Sequence, residues 1–75
     1  MDREERLIAE ARSGSVRAFT ELIAGYREGL FRFLLVRCRS RADAEDALQE
    51  ALVNAYRYLH TYDDRWRFST WLYRI

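Results

Sequence analysis

Apolar residues recur every three or four positions along most of this chain, and no proline interrupts them. That spacing places them on one side of an α-helix, whereas a half-buried strand would need strict alternation. A chain of 75 residues buries only about 60% of the surface that its unfolded form exposes. The sequence therefore predicts an all-α fold, a small helical bundle whose core is too limited to surround a deep enzyme cleft.

Polar caps and glycines divide the chain into helices. Asp2, Ser15 and Ser40 are residue types that cap helix N-termini, and Gly14 supplies a stop after the first helix. The second helix is apolar on two faces, so we expect it to lie between partners, with Gly25 and Gly29 permitting close backbone approach. The four predicted helices span about residues 2–13, 16–38, 41–60 and 69–75.

Several functional classes are excluded by composition. Cys38 is the only thiol and His60 the only histidine, so no catalytic triad and no metal-ligand spacing can be assembled, and we expect no enzyme activity, metal or cofactor. The longest apolar run, FLLV, is too short to cross a bilayer, which predicts a cytoplasmic protein. With a net charge of +1, the chain lacks the basic excess that unaided duplex DNA binding needs.

The third predicted helix has an unusual polar side. Its apolar seam comprises Ala44, Leu48, Ala51, Ala55 and Leu59, with Leu52 at the edge. The opposite strip comprises Asp46, Gln49, Glu50, Val53 and Arg57. These polar groups are either a solvated surface with one acid near the positive end of the helix, or directional contacts for a basic partner.

The segment YDDRWRFSTWLYR interleaves aromatic rings with arginines. Rings stack on unpaired bases and guanidiniums pair with phosphates, so the pattern suits single-stranded nucleic acid. Trp66 has no core seam to join, whereas Phe68 and Leu72 are expected to complete the core. Asp63 and Asp64 would repel phosphate, and we expect them to turn away from it or to cap the loop backbone.

The stretch DAEDALQEALVNAYRYLHTYDDRWRFSTWLYRI resembles region 2 of extracytoplasmic-function sigma factors of bacterial RNA polymerase, in the sigma-70 family. ARSGSVRAFTELIAGYREGLFRFLLVRC resembles the preceding segment of the same domain. The resemblance implies that residues 1–75 form one region 2 domain. It also implies that the family's second, helix-turn-helix domain, which reads the minus-thirty-five element, is absent from this chain.

The resemblance further implies two binding surfaces. The polymerase-binding residues would be Asp46, Gln49, Glu50, Val53 and Arg57, which meet the clamp helices of the largest catalytic subunit of core RNA polymerase. The residues that hold the non-template strand of the minus-ten element would be Tyr62, Arg65, Trp66, Arg67, Ser69, Thr70, Trp71 and Arg74. An anti-sigma factor is a further expected partner.

An alternative is a sigma-like domain that binds an anti-sigma factor without directing transcription. Retention of the polymerase-binding residues and the loop aromatics argues against it. The loop also departs from the family pattern, because Asp64, Arg65 and Trp66 stand where relatives carry small residues. That departure leaves the base preference open.

Overall fold

The structure, a computed structural model, describes residues 2–75, and every regular element in that range is helical. The predicted all-α bundle is confirmed. The helices are α1 (Arg3–Arg12), α2 (Val16–Ala24), α3 (Arg27–Arg37), α4 (Arg41–Arg57) and α5 (Phe68–Leu72), with a 3-10 turn at Leu59–Thr61. Among the described residues, no helix has both the length and the apolar character that a bilayer crossing requires.

The predicted N-terminal caps are confirmed. The side chain of Asp2 accepts a hydrogen bond from the backbone N–H of Glu5 at 2.8 Å. Ser15 accepts from Ala18 at 3.1 Å, and the hydroxyl of Ser40 caps α4 in the same way. Each bond satisfies an N–H group that has no partner within its own helix, so these local contacts set where α1, α2 and α4 begin.

Gly14 ends α1 as predicted. Its φ of 106° lies in the region that favours glycine. The Gly14 N–H donates to the carbonyl of Ala11, and the Ser15 N–H donates to that of Glu10, at 3.0 and 3.1 Å. This pair of bonds is a Schellman motif, which satisfies the last carbonyls of α1 and turns the chain back. The motif brings α2 against α1.

The single helix predicted over residues 16–38 is interrupted. The chain turns at Gly25 and Tyr26, where the Tyr26 N–H donates to the carbonyl of Ile23 at 2.8 Å, and α3 begins at Arg27. The turn lets the two halves pack on different partners, because α2 lies on α1 whereas α3 lies on α4. Periodicity alone did not reveal the interruption, because the apolar spacing continues through it.

The other predicted helix bounds shift by a few residues. The third predicted helix ends at Arg57 and continues as the 3-10 turn, and the last one spans Phe68–Leu72 instead of residues 69–75. Gly29 does permit a close approach, but by a side chain and not by the backbone, since a Cβ there would lie 3.0 Å from the hydroxyl of Tyr73. At Gly25 the expected close backbone approach is wrong, because the nearest neighbour of a Cβ would be the carbonyl oxygen of Leu22, in the preceding turn, at 3.9 Å.

One apolar core joins all these elements. It includes the expected face of α1, most of the predicted α4 seam and both α5 residues that we expected to be buried. Its buried side chains are Leu7, Ile8, Ala11, Ala18, Phe19, Leu22, Ile23, Leu30, Leu48, Leu52, Ala55, Leu59, Tyr62, Phe68 and Leu72. Ala44 is buried as well, whereas Ala51 is only partly buried.

Two glycine substitutions should change stability in opposite directions. Neither position is crowded, since a Cβ at Gly14 would meet no atom within 4 Å. Gly14→Ala should lower the free energy of unfolding by more than about 1 kcal/mol because of its positive φ. Gly25→Ala should raise it by about 0.4–1 kcal/mol, because the backbone there is already helical. Thermal unfolding followed by circular dichroism measures both, and shifts of the same sign would contradict the described backbone.

Candidate functional site

The polar strip on α4, comprising Asp46, Gln49, Glu50, Val53 and Arg57, is exposed along its whole length. Opposite it, Ala44, Leu48 and Leu52 are buried, so the predicted division of this helix into two sides is confirmed. Val53 is 57% exposed although it is apolar. Within residues 2–75, none of the charged side chains in the strip forms an ion pair. The strip could therefore meet a partner without first breaking contacts of its own.

Tyr62 is a core residue, although the sequence pattern placed it among the DNA contacts. Its ring is 6% exposed, and it packs against Phe68 and Trp71 with centroids 5.4 and 5.6 Å apart. Burial raises the pKa of its phenol above the ordinary value. The ring cannot stack on a base without leaving the core, so its assignment as a base contact is corrected. An alternating aromatic pattern does not reveal which rings turn inward.

The hydroxyl of Tyr62 fixes the loop of residues 62–67. It donates a 2.6 Å hydrogen bond to the backbone carbonyl of Trp66. The Trp66 N–H in turn donates to the carbonyl of Asp63 at 3.1 Å. These two bonds close a tight turn whose buried end is the tyrosine ring. The position of Trp66 is therefore set by the core.

Asp63 caps the same loop, which is one of the two arrangements expected for it. Its carboxylate accepts from the side-chain Nε and the backbone N–H of Arg65, each at 2.9 Å. The Arg65 side chain, and then its backbone N–H, lower the pKa of Asp63 below the ordinary value. Arg65 is thus already paired with a carboxylate, and binding a phosphate would require it to share or exchange that partner.

Trp66 lies outside the core, as expected, with 62% of its surface exposed. Arg67, Thr70 and Arg74 are exposed as well, whereas Ser69 and Trp71 are partly buried. Phe68 and Leu72, each 2% exposed, anchor α5 between them. The structure therefore presents most of the predicted DNA contacts on one loop and the short helix that follows it.

A cleft of about 630 Å³ separates this loop from α1. Trp66, Arg67 and Phe68 line one side, and Glu4 and Glu5 line the other. Tyr26 also lines the cleft and donates a hydrogen bond to Glu4. Burial, and then this bond, raise the pKa of Tyr26. A cleft of this size can accept a small planar group, and its carboxylates supply hydrogen-bond acceptors.

Sequence reasoning missed the part that α1 plays in this cleft. Asp2, Glu4, Glu5 and Arg12 come from the start of the chain, yet they face a loop about sixty residues later. Arg12 also donates to the carbonyl of His60 at 3.3 Å, which ties α1 to the 3-10 turn. No periodicity within α1 signals these contacts, because its acids equally suit a solvated surface and the start of a helix.

Comparison with known proteins identifies relatives over nearly the whole chain. A family model described as Sigma-70 region 2 matches residues 22–75. The ECF RNA polymerase sigma-E factor of Haemophilus influenzae is 35% identical over 72 residues, covering 96% of this chain and 38% of its own length. The ECF RNA polymerase sigma factor SigW of Bacillus subtilis is 31% identical over 71 residues, covering 95% of this chain and 38% of that protein.

A third relative is the ECF RNA polymerase sigma-E factor of Escherichia coli K12. It is 33% identical over 72 residues, which cover 96% of this chain and 37% of that protein. The chain thus spans less than two fifths of the length of these curated relatives. No solved structure matches it. The matched residues include all of α3, α4 and α5 and the loop of residues 62–67.

Removal of the Tyr62 hydroxyl should loosen the loop while leaving the core filled. Tyr62→Phe keeps the ring but deprives the Trp66 carbonyl of its donor, which should cost about 0.5–1.5 kcal/mol of unfolding free energy. Amide hydrogen exchange at Arg65 and Trp66 should become faster. Tyr58→Phe, at an exposed tyrosine, is the matched control and should change neither quantity. Unaltered exchange in the Tyr62 variant would show that the loop is held by other contacts.

Proposed function

Because the chain belongs to the extracytoplasmic-function group of the sigma-70 family, as a region 2 domain, we propose that it is a transcription initiation module. It docks on core RNA polymerase and holds the minus-ten promoter element as single-stranded DNA. The observation that carries this proposal is the presence of two separate exposed surfaces on one small core. One is the polar strip on α4, and the other is the loop of residues 62–67 with α5.

The polar strip on α4 is the proposed polymerase-binding surface. Asp46, Glu50 and Gln49 offer carboxylate and amide oxygens to basic and polar groups of the clamp helices, and exposed Val53 adds apolar contact. Arg57 extends the strip at the end of α4. Groups of this kind contribute orientation and specificity at an interface more than they contribute affinity. A helix held rigidly by its buried seam presents them in one fixed arrangement.

The loop of residues 62–67 and α5 form the proposed DNA-binding surface. Extruding a base from a duplex costs a few kcal/mol, and stacking on an aromatic ring returns about 1–3 kcal/mol. Trp66 is exposed for such stacking and is held in place through the Tyr62 hydroxyl. Arg67, Ser69, Thr70, Trp71 and Arg74 are the further proposed contacts on this surface.

The cleft beside Trp66 suits a base better than a phosphate. Glu5 and Asp64 lie in its walls, and carboxylates repel the DNA backbone. The same oxygens accept hydrogen bonds from the amino groups of cytosine, adenine or guanine. We therefore propose that the backbone follows Arg67 and Arg74, which flank α5, while an unstacked base turns toward the cleft.

Reversing charge on the α4 strip should weaken docking strongly without unfolding the domain. The double variant Gln49→Ala, Glu50→Arg should weaken capture of core RNA polymerase by at least about 2 kcal/mol, roughly thirtyfold. Pulldown of core polymerase measures the loss, and circular dichroism should remain unchanged because both side chains are exposed. Glu10→Arg, the same charge reversal on exposed α1, should leave capture intact. Normal capture by the double variant would refute the docking surface.

Truncation of Trp66 should weaken DNA binding but not folding. Trp66→Ala should cost about 1–3 kcal/mol of affinity for a single-stranded minus-ten oligonucleotide on the polymerase-bound chain. The oligonucleotide comes from a selection of random single strands on that complex. Tyr58→Ala is the control at another exposed ring. A large fall in melting temperature for Trp66→Ala, with affinity unchanged, would assign the indole to the core instead.

A further inference from the structure

A guanidinium stacked on an aromatic ring lies on α3. The Cζ atom of Arg37 is 3.6 Å from the centroid of the Phe33 ring. One of its terminal nitrogens, Nη1, donates to the backbone carbonyl of Phe33 at 3.1 Å. The ring and the carbonyl together fix the plane of the guanidinium. Arg37 is nonetheless exposed, so its remaining N–H donors are accessible to a ligand.

The charge of Arg37 is not offset by a carboxylate. Four other arginines are held in ion pairs, namely Arg3, Arg32, Arg41 and Arg65, with N–O distances of 2.7–3.7 Å. In the part of the chain that the structure describes, Arg37 has no such partner. An arginine that is ordered by a ring instead of an acid keeps its full positive charge for an external anion.

The Arg37 site is continuous with the proposed DNA-binding surface. Gly29, Phe33 and Arg37 follow one another at four-residue steps, which places them on the same side of α3. Tyr73 packs on that side, since its ring centroid is 5.1 Å from that of Phe33, and its hydroxyl would be 3.0 Å from a Cβ at Gly29. Tyr73 is the neighbour of Arg74. The ring pair therefore connects Arg37 to α5.

We propose that Arg37, oriented by Phe33, binds a backbone phosphate of promoter DNA beside the segment held by α5. The inference rests on the proposed function and extends its DNA-binding surface onto α3. A planar guanidinium matches phosphate geometry, and phosphate contacts set the position of a strand without reading its sequence. The ligand is phosphate because the adjoining surface already suits nucleic acid.

The test compares two charge removals on the same helix. Arg37→Gln removes the charge and leaves a neutral planar amide on a shorter stem. Arg32→Gln is the matched control, because Arg32 is offset by Glu28 at 3.7 Å. The probe is the selected single strand extended by a short upstream duplex, titrated onto the polymerase-bound chain at several salt concentrations.

Arg37→Gln should weaken binding to every base sequence alike, and should lower the slope of log affinity against log salt by about 0.7–0.9. Arg32→Gln should change neither the affinity nor the salt slope. Arg37→Lys keeps the charge, so its salt slope should equal that of the unmodified chain. Replacing phosphates one at a time with neutral methylphosphonate locates the contact. At one position, this replacement should weaken DNA binding by the unmodified chain and should have no effect on DNA binding by the Arg37→Gln variant.

The possible outcomes separate this inference from the proposed function. If Trp66→Ala weakens binding while Arg37→Gln behaves like Arg32→Gln, the phosphate contact is refuted and the proposed function stands. If Trp66→Ala has no effect on DNA, the proposed DNA-binding surface itself is wrong. Loss of polymerase capture in Arg37→Gln, with the salt slope for DNA unchanged, would assign Arg37 to an acidic protein surface and would overturn the inference.

Discussion

The candidate site depends on the packing of aromatic rings around Phe68. Phe68 is 2% exposed, and its ring packs against those of Tyr26, Tyr62 and Trp71 at 5.4–5.6 Å. Its helix, α5, has only five residues, too few to be stable alone in water. Burial of Phe68 therefore holds α5 against the bundle. The same ring supports Tyr62, whose hydroxyl in turn fixes Trp66.

This arrangement separates the groups that fold the domain from those available to partners. The core rings and the α4 seam face inward, while the α4 strip and Trp66 remain exposed. Arg3, Arg32, Arg41 and Arg65 are paired with nearby acids, which leaves them less available to the phosphates of duplex DNA. A domain of this kind suits the conditional DNA binding that we propose, in which core RNA polymerase would supply the remaining affinity.

Much of the fold could be predicted because its signals are local. A cap needs one side chain and a backbone N–H three residues later, and Asp2, Ser15 and Ser40 act as expected. The α4 strip was predictable for the same reason, since helical periodicity alone sets which residues oppose the seam. The interruption of the second helix was not, because the apolar spacing does not change at Tyr26 while the packing partners do.

The sequence by itself determined the helical class, the starts of α1, α2 and α4, the stop at Gly14 and the exposed side of α4. It also carried the family resemblance, which the comparisons bear out. Only the tertiary structure decided that Tyr62 turns inward, that α1 carboxylates border the Trp66 loop and that Tyr73 meets Phe33. The physical reason is the separation along the chain over which each interaction acts. Caps and periodicity act within a few residues, whereas these contacts join side chains that only the packed core brings together.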